Sequence, residues 1–240
     1  MLYLIYWLLY KHSMDIFKKI LTFDTSVSAC SAALFDHNGN GTIIKEEMPR
    51  GQSEALMPMI EDVLERSQCS YEDVDCIVTT IGPGAFTGLR IGLSVAKALG
   101  LSLNKPVFGV STLQAIAFEA SESAKVDFKV LVETRRDDFY IQDFSMEGFP
   151  ISEPQALSVD DIERNMADVK CITGDAVDRF LKLAKHEKWG VFTSVQSPDP
   201  LIMAERLLVV PELFTRDVEP LYLRGADVSQ SKKQYRVLEG

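Results

Sequence analysis

Histidine is nearly absent. The three in 240 residues, His12, His37 and His186, stand far apart with no H-x-x-x-H or H-E-x-x-H spacing, which excludes a locally built histidine metal site. Cysteine is sparse too: Cys30, Cys69, Cys76 and Cys171 form no C-x-x-C pair and no dense framework, so the expectation is buried thiols in a reducing cytoplasm. Basic charge is in deficit, 25 Lys and Arg against 35 Asp and Glu, and a net charge of −10 repels polyanions over most of the surface. No G-x-S-x-G elbow and no phosphate loop of the G-x-x-x-x-G-K-[ST] type occur. Long hydrophobic runs are missing as well. The opening MLYLIYWLLY stops after ten residues, short of the roughly 20 that span a bilayer, and it lacks the basic start and small-residue cleavage site of a signal peptide. It is expected to be a frayed extension ahead of a start at Met14, or an added packing strand.

What is present is an ordinary globular composition, 46% hydrophobic and 25% charged, over a length that suits one large domain or two small ones. Residues 18–25 read as a buried strand, with 29–36 and 41–48 as hairpin partners around the turn His37-Asn38-Gly39-Asn40. The period then changes. Ala55, Leu56, Met59, Ile60, Val63 and Leu64 recur at helical spacing over 52–66, and an apolar strand at 74–81 leads through Gly82-Pro83-Gly84 into a helix over 86–103. A strand at 106–109 and a helix over 112–123 complete the order β-β-β-α-β-α-β-α, which predicts a mixed sheet with helices on its faces. The second half restarts the pattern with strands at 127–133 and 138–145, a helix at 159–166, a strand at 169–173 and helices at 175–187 and 200–208. A structural duplication is expected. The expected division is an extension (1–17), an N-terminal lobe (18–123), a C-terminal lobe (124–225) and a polar tail (226–240).

Several motifs admit both a structural and a functional reading. The string IGPGAFTGLRIGLSVAKALG sets a glycine turn at a helix start, where unpaired backbone N–H groups can hold an anion; it is equally a structural turn. Asp24, Thr25 and Ser26, just after the first strand, with Gly82, Gly84 and Thr87, are the candidate anion- or nucleotide-binding residues. Gly88, Gly92, Ala96 and Gly100 form a row of small residues on one helix face. Each glycine there costs roughly 1 kcal/mol of helix propensity, so a backbone is expected to approach closely, either this domain's own sheet or a second subunit. Buried Leu56, Met59, Ile60 and Val63 pose the same question on the preceding helix. The charged turn Glu133-Thr134-Arg135-Arg136-Asp137-Asp138 is either a solvated hairpin or a ligand contact.

The segments FDTSVSACSAAL, SEALMPMIEDVL, VTTIGPGAFTGLRIGLSVAKALG and PVFGVSTLQAIA closely resemble the TsaB (formerly YeaZ) family across residues 20–120, with a looser likeness through 127–145 and PLYLRG. Where that family has an Asp-Ala-Arg run, this chain has Glu133-Thr134-Arg135. The resemblance implies an α/β fold of two ribonuclease-H-like lobes in the actin-like ATPase superfamily. It also implies kinship with TsaD, which transfers threonylcarbamoyl to N6 of adenosine 37 in tRNAs reading ANN codons. At the positions of TsaD's His-x-x-x-His metal pair this chain has Thr112 and Ile116, neither of which replaces an imidazole. The implied role is a non-catalytic subunit that activates or stabilises TsaD in a heterodimer, with TsaE joining as an ATPase. A homodimer through the same surface is implied too, with no intrinsic cofactor or metal, room for a nucleotide at the TsaD interface, tRNA met only through the complex, and no membrane. The interface is expected on Leu56, Met59, Ile60, Val63, Gly88, Gly92, Leu93 and Ala96, so that Gly92→Arg leaves a folded monomer that no longer binds TsaD. The competing expectation is a small-molecule kinase or ATPase using Asp24, weakened by the absence of glycine from 128–145. A metalloprotease-like hydrolase lacks both ligands and nucleophile.

Overall fold

The structure, a computed structural model, describes residues 17–164, 171–185, 190–191 and 195–223. The apolar opening and the polar tail, with the readings made for them, lie outside the described residues.

The first sheet holds β1 (Lys19–Asp24), β2 (Ala29–Asp36), β3 (Gly41–Glu47), β4 (Cys76–Gly82) and β5 (Val107–Ser111) in the order β3-β2-β1-β4-β5. The three hairpin strands are antiparallel, and β1, β4 and β5 run parallel. β1 is apolar on both faces because both are covered, whereas edge strand β3 turns charged at Lys45, Glu46 and Glu47 and so discourages further pairing. The second sheet is built from β6 (Phe128–Glu133), β7 (Asp138–Phe144), β8 (Gln155–Ser158), β9 (Cys171–Thr173) and β10 (Gly190–Val191), ordered β8-β7-β6-β9-β10. Its pairings repeat those of the first sheet in direction as well as order. This is the two-lobed α/β fold that the resemblance implies, one topology used twice.

Side chains alternate across β1. Leu21 and Phe23 meet α1 (Gln52–Arg66) and α2 (Phe86–Leu103) through Leu56, Ile60, Val63 and Ala96. Ile20, on the opposite face with Cys76 and Val78, packs against α3 (Thr112–Ser121) and α6 (Pro200–Val209). Helix α3 also lies under the second sheet, where Leu113, Ile116 and Ala117 contact Phe128, Val130 and Phe144. Serving both sheets buries almost every residue of α3, which holds the lobes together. α4 (Val159–Arg164) and α5 (Val177–Leu183) cover the outer face of the second sheet through Ile162, Val177 and Phe180.

One expected boundary is corrected. Residues 200–223, assigned by sequence order to the C-terminal lobe, return to the first sheet. Met203, Ala204, Leu207 and Leu208 pack on Ile20 and Cys76, Thr215 exchanges backbone bonds of 2.8 and 2.9 Å with Gly109, and Leu221 N–H donates to the Ile81 carbonyl at 2.7 Å. The physical reason is coverage: β1, β2 and β4 expose an apolar second face that α3 alone does not fill. The short edge strands β8 and β10 were not expected.

Candidate functional site

β1 ends at Asp24 and β6 ends at Glu133, equivalent positions in the two sheets. The turns that follow, 25–28 and 134–137, open onto one cleft of about 850 Å³ between the lobes. The start of α2, the β3–α1 loop at Arg50, the turn at Asp175 and the returning segment at Tyr222 complete its walls.

Thr25 and Ser26 explain the glycines. The Thr25 hydroxyl donates to the Gly88 carbonyl at 2.7 Å, and Ala85 N–H donates to the Ser26 carbonyl at 2.8 Å. A Cβ on Gly88 would lie 2.0 Å from the Thr25 carbonyl oxygen, one on Gly84 2.3 Å from the Ser26 carbonyl oxygen, and one on Gly92 2.7 Å from Thr25 Oγ1. The close backbone approach is therefore to the chain's own β1–β2 turn. Gly82, at φ 104°, takes the left-handed turn that feeds this contact.

That geometry corrects the expected interface residues. Leu56, Ile60, Val63 and Ala96 are wholly buried in the monomer, and Met59, Leu93, Gly88 and Gly92 are buried beside them. All eight residues are turned into the monomer, because the apolar stripe of each helix is spent on the sheet beneath. Arginine at position 92 would meet Thr25 and Thr79 inside the fold.

The candidate anion residues divide. Ser26, Gly84 and Thr87 line the cleft, while Asp24, Thr25 and Gly82 lie behind its wall. Asp24 Oδ1 accepts from Thr80 Oγ1 at 2.5 Å and from Ser26 N–H at 3.1 Å, and burial pushes its carboxyl above the ordinary value. Glu133 is held in an ion pair by Arg179, whose other nitrogens donate to the carbonyls of Arg136 and Asp138, both at 2.8 Å. The same guanidinium lies 3.9 Å from the centre of the Phe139 ring. Thr134 Oγ1 accepts from Arg136 N–H, and Arg135 sits at φ 57°, so this turn is pinned at several points. Asp175 accepts from Glu133 N–H at 3.0 Å, and burial next to Glu133 pushes it up to about 7.

The superfamily that the resemblance implies would place a metal-bound nucleotide between the lobes, and these residues do not fit one. The Asp24 carboxylate is sealed from the cleft, Glu133 is neutralised by Arg179, and Asp175, pushed up to about 7, is half-protonated near neutrality. Among the described residues no group of three or more His, Cys, Asp and Glu side chains is placed to hold a metal ion. Thr112 and Ile116 are fully buried at the start of α3.

Sequence reasoning missed Arg50, Arg90, Asp175 and Tyr222, which come to the cleft from separate elements, and Arg179, which holds Glu133 and the turn after it from α5. Ser26, Gly84 and Thr87 and the charged turn at Glu133, Thr134, Arg135 and Arg136 were the sequence signals that come to lie on the cleft. Three of the four cysteines are buried, and all four are free.

Residues 31–197 match the family model of TsaD, tRNA N6-adenosine threonylcarbamoyltransferase. The Escherichia coli K12 tRNA threonylcarbamoyladenosine biosynthesis protein TsaB is 39% identical over 99 residues, 41% of this chain and 42% of that protein. Its namesake from Buchnera aphidicola subsp. Baizongia pistaciae is 38% identical over 221 residues, 90% of this chain and 93% of the relative. Among solved structures, a Pseudomonas aeruginosa protein described as similar to peptidase YeaZ superposes with TM-score 0.74 at 25% identity, covering 86% of this chain and all (100%) of the other. YeaZ from the same organism gives 0.72 at 24% identity over the same shares and supports the fold alone. A relative of this identity, matched nearly end to end and joined by the TsaD family model, places the chain in the TsaB (YeaZ) family.

Proposed function

We propose that the chain is a non-catalytic partner subunit for N6-threonylcarbamoyladenosine formation at adenosine 37 of tRNAs reading ANN codons. It binds TsaD and raises its activity, with TsaE joining, and any nucleotide is held between the proteins rather than by this chain alone. The relatives' names support the process, since both the TsaB and TsaD proteins it resembles are named for this modification.

One observation supports the partner role. α2 is long and apolar enough to cross a membrane, yet only 33% of it is buried. Its inner face lies on the sheet, with Ile91 and Val95 half-buried at its margin, while on its outer face Leu101, 86% exposed, stands with Ser94 and Ala98 beside the charged Arg90 and Lys97. A nearly fully exposed leucine flanked by small residues and rimmed by an arginine and a lysine is the kind of apolar anchor with a polar rim that a partner covers. The interface therefore moves from the buried stripe to the opposite side of the same helix, and a homodimer would use that side too.

Leu101→Asp tests it. The side chain touches little in the monomer, so thermal unfolding should be unchanged, while capture of purified TsaD should weaken by about 30-fold or more, as for a central contact residue. Undiminished capture would place the interface elsewhere.

A further inference from the structure

In a chain of net charge −10, the cleft is a local exception. Arg50, Arg90, Arg135 and Arg136 all line it, and all are exposed. They arrive on three elements: the β3–α1 loop, the first turns of α2 and the β6–β7 turn. Around Arg50, Arg90 and Arg135 the cleft carboxylates Glu133 and Asp175 contribute little, since Glu133 is occupied by Arg179 and Asp175, pushed up to about 7, is half-protonated near neutrality. The first turn of α2 has no side-chain cap, so its positive end adds to the field. At the mouth, Phe86 is 56% exposed and Tyr222 51%, with ring centres 6.1 Å apart, and the Arg90 guanidinium lies 3.8 Å from the Phe86 centre.

Guanidinium groups spread along a groove, with exposed aromatic rings at one end, are the chemistry that grips a single strand of nucleic acid, phosphates on arginine and bases on rings. A mononucleotide site gathers its cations around one phosphate chain and a metal, and here the carboxylates for the metal are unavailable. We propose that the interlobe cleft binds unpaired RNA directly, through Arg50, Arg90, Arg135 and Arg136 with Phe86 and Tyr222 as stacking surfaces. The choice of RNA over other polyanions rests on the tie to tRNA modification proposed above. This departs from the expectation that RNA is met only through a partner: whole-molecule charge sets long-range repulsion, whereas a groove with low-dielectric walls concentrates its own field. Arg179 acts as a positioning residue, holding the turn that presents Arg135 and Arg136.

The test is fluorescence anisotropy with the full chain alone and a labelled single-stranded RNA of about 12 nucleotides, from about 50 to about 200 mM salt. Saturable binding is expected, with log affinity falling against log salt at a slope of about −2 to −3. Arg90→Ala and Arg135→Ala should each weaken binding about three- to tenfold and make the slope shallower by about one unit, and Phe86→Ala should weaken it with the slope unchanged. Unfolding curves of these surface variants should match the parent. No binding at the lowest salt, or binding untouched by the variants, overturns the proposal. Displacement of the RNA by equimolar ATP with magnesium also overturns it, in favour of a mononucleotide site. No TsaD is present in this experiment, so its failure leaves the partner reading standing, and loss of TsaD capture leaves the RNA result standing.

Discussion

At the scale of single residues, the glycines of α2 make the account testable. Gly88 faces the Thr25 carbonyl oxygen so closely that a methyl group would sit at 2.0 Å, against backbone that cannot swing away. Gly88→Ala should cost about 1–3 kcal/mol or more despite the better helix propensity of alanine, read as a lower urea midpoint. A stabilised variant would show that the turn is not seated where described. Asp175 supplies a pH signature. Its carboxyl is pushed up to about 7 in the fold and titrates near 3.8 when unfolded, so between those values the folded chain holds a proton that the unfolded chain has released. Stability should fall as pH rises from about 4 to 7 and level off above, by on the order of 2 kcal/mol once solvent at the cleft is allowed for. Asp175→Asn keeps an acceptor for Glu133 N–H and should flatten that fall in denaturation series across this range. An unchanged slope would assign the proton elsewhere.

At the scale of elements, α6 decides how the chain closes. Asp199 caps it, accepting from Leu201 N–H at 2.8 Å and Ile202 N–H at 3.2 Å, and Leu207 is buried against the first sheet. Leu207→Ala should cost about 2–5 kcal/mol, and hydrogen exchange should quicken in β1 and β2 rather than in the second sheet. Loosening confined to β6 and β7 would restore the boundary read from chain order. The helices and central strands were legible because their periods are clean: α1 and α2 begin and end where the apolar spacing does. What period could not tell is which surface an apolar stripe meets. Leu56 and Ile60 looked alike as core or interface, and only the sheet beneath them settles it. β8 and β10 escaped because strands of four and two residues at a sheet edge are held by their neighbours rather than by their own pattern.

At the scale of the whole molecule, the doubling was readable from the order of elements, since the second half restarts with paired strands followed by helix, strand and helix without shared sequence, although its third antiparallel strand, β8, carries no such signal. The cleft was not. Arg50, Arg90, Arg135 and Tyr222 lie apart in sequence and meet only because two equivalent strand ends face each other across α3. Asp24, the residue that looked most chemical, is sealed behind Thr80 and Ser26, and burial of this kind leaves no mark in composition. The central claim is that the chain acts through contact and not through chemistry of its own. Reconstitution tests it most directly: purified TsaD, TsaE, threonylcarbamoyl-adenylate and tRNA are assayed for modified adenosine with the chain, without it and with its Leu101→Asp variant, beside the chain alone with ATP. The account predicts modification only with the parent chain, little with the variant, and no ATP turnover by the chain alone. Full modification without the chain, or turnover by the chain in isolation, would contradict it.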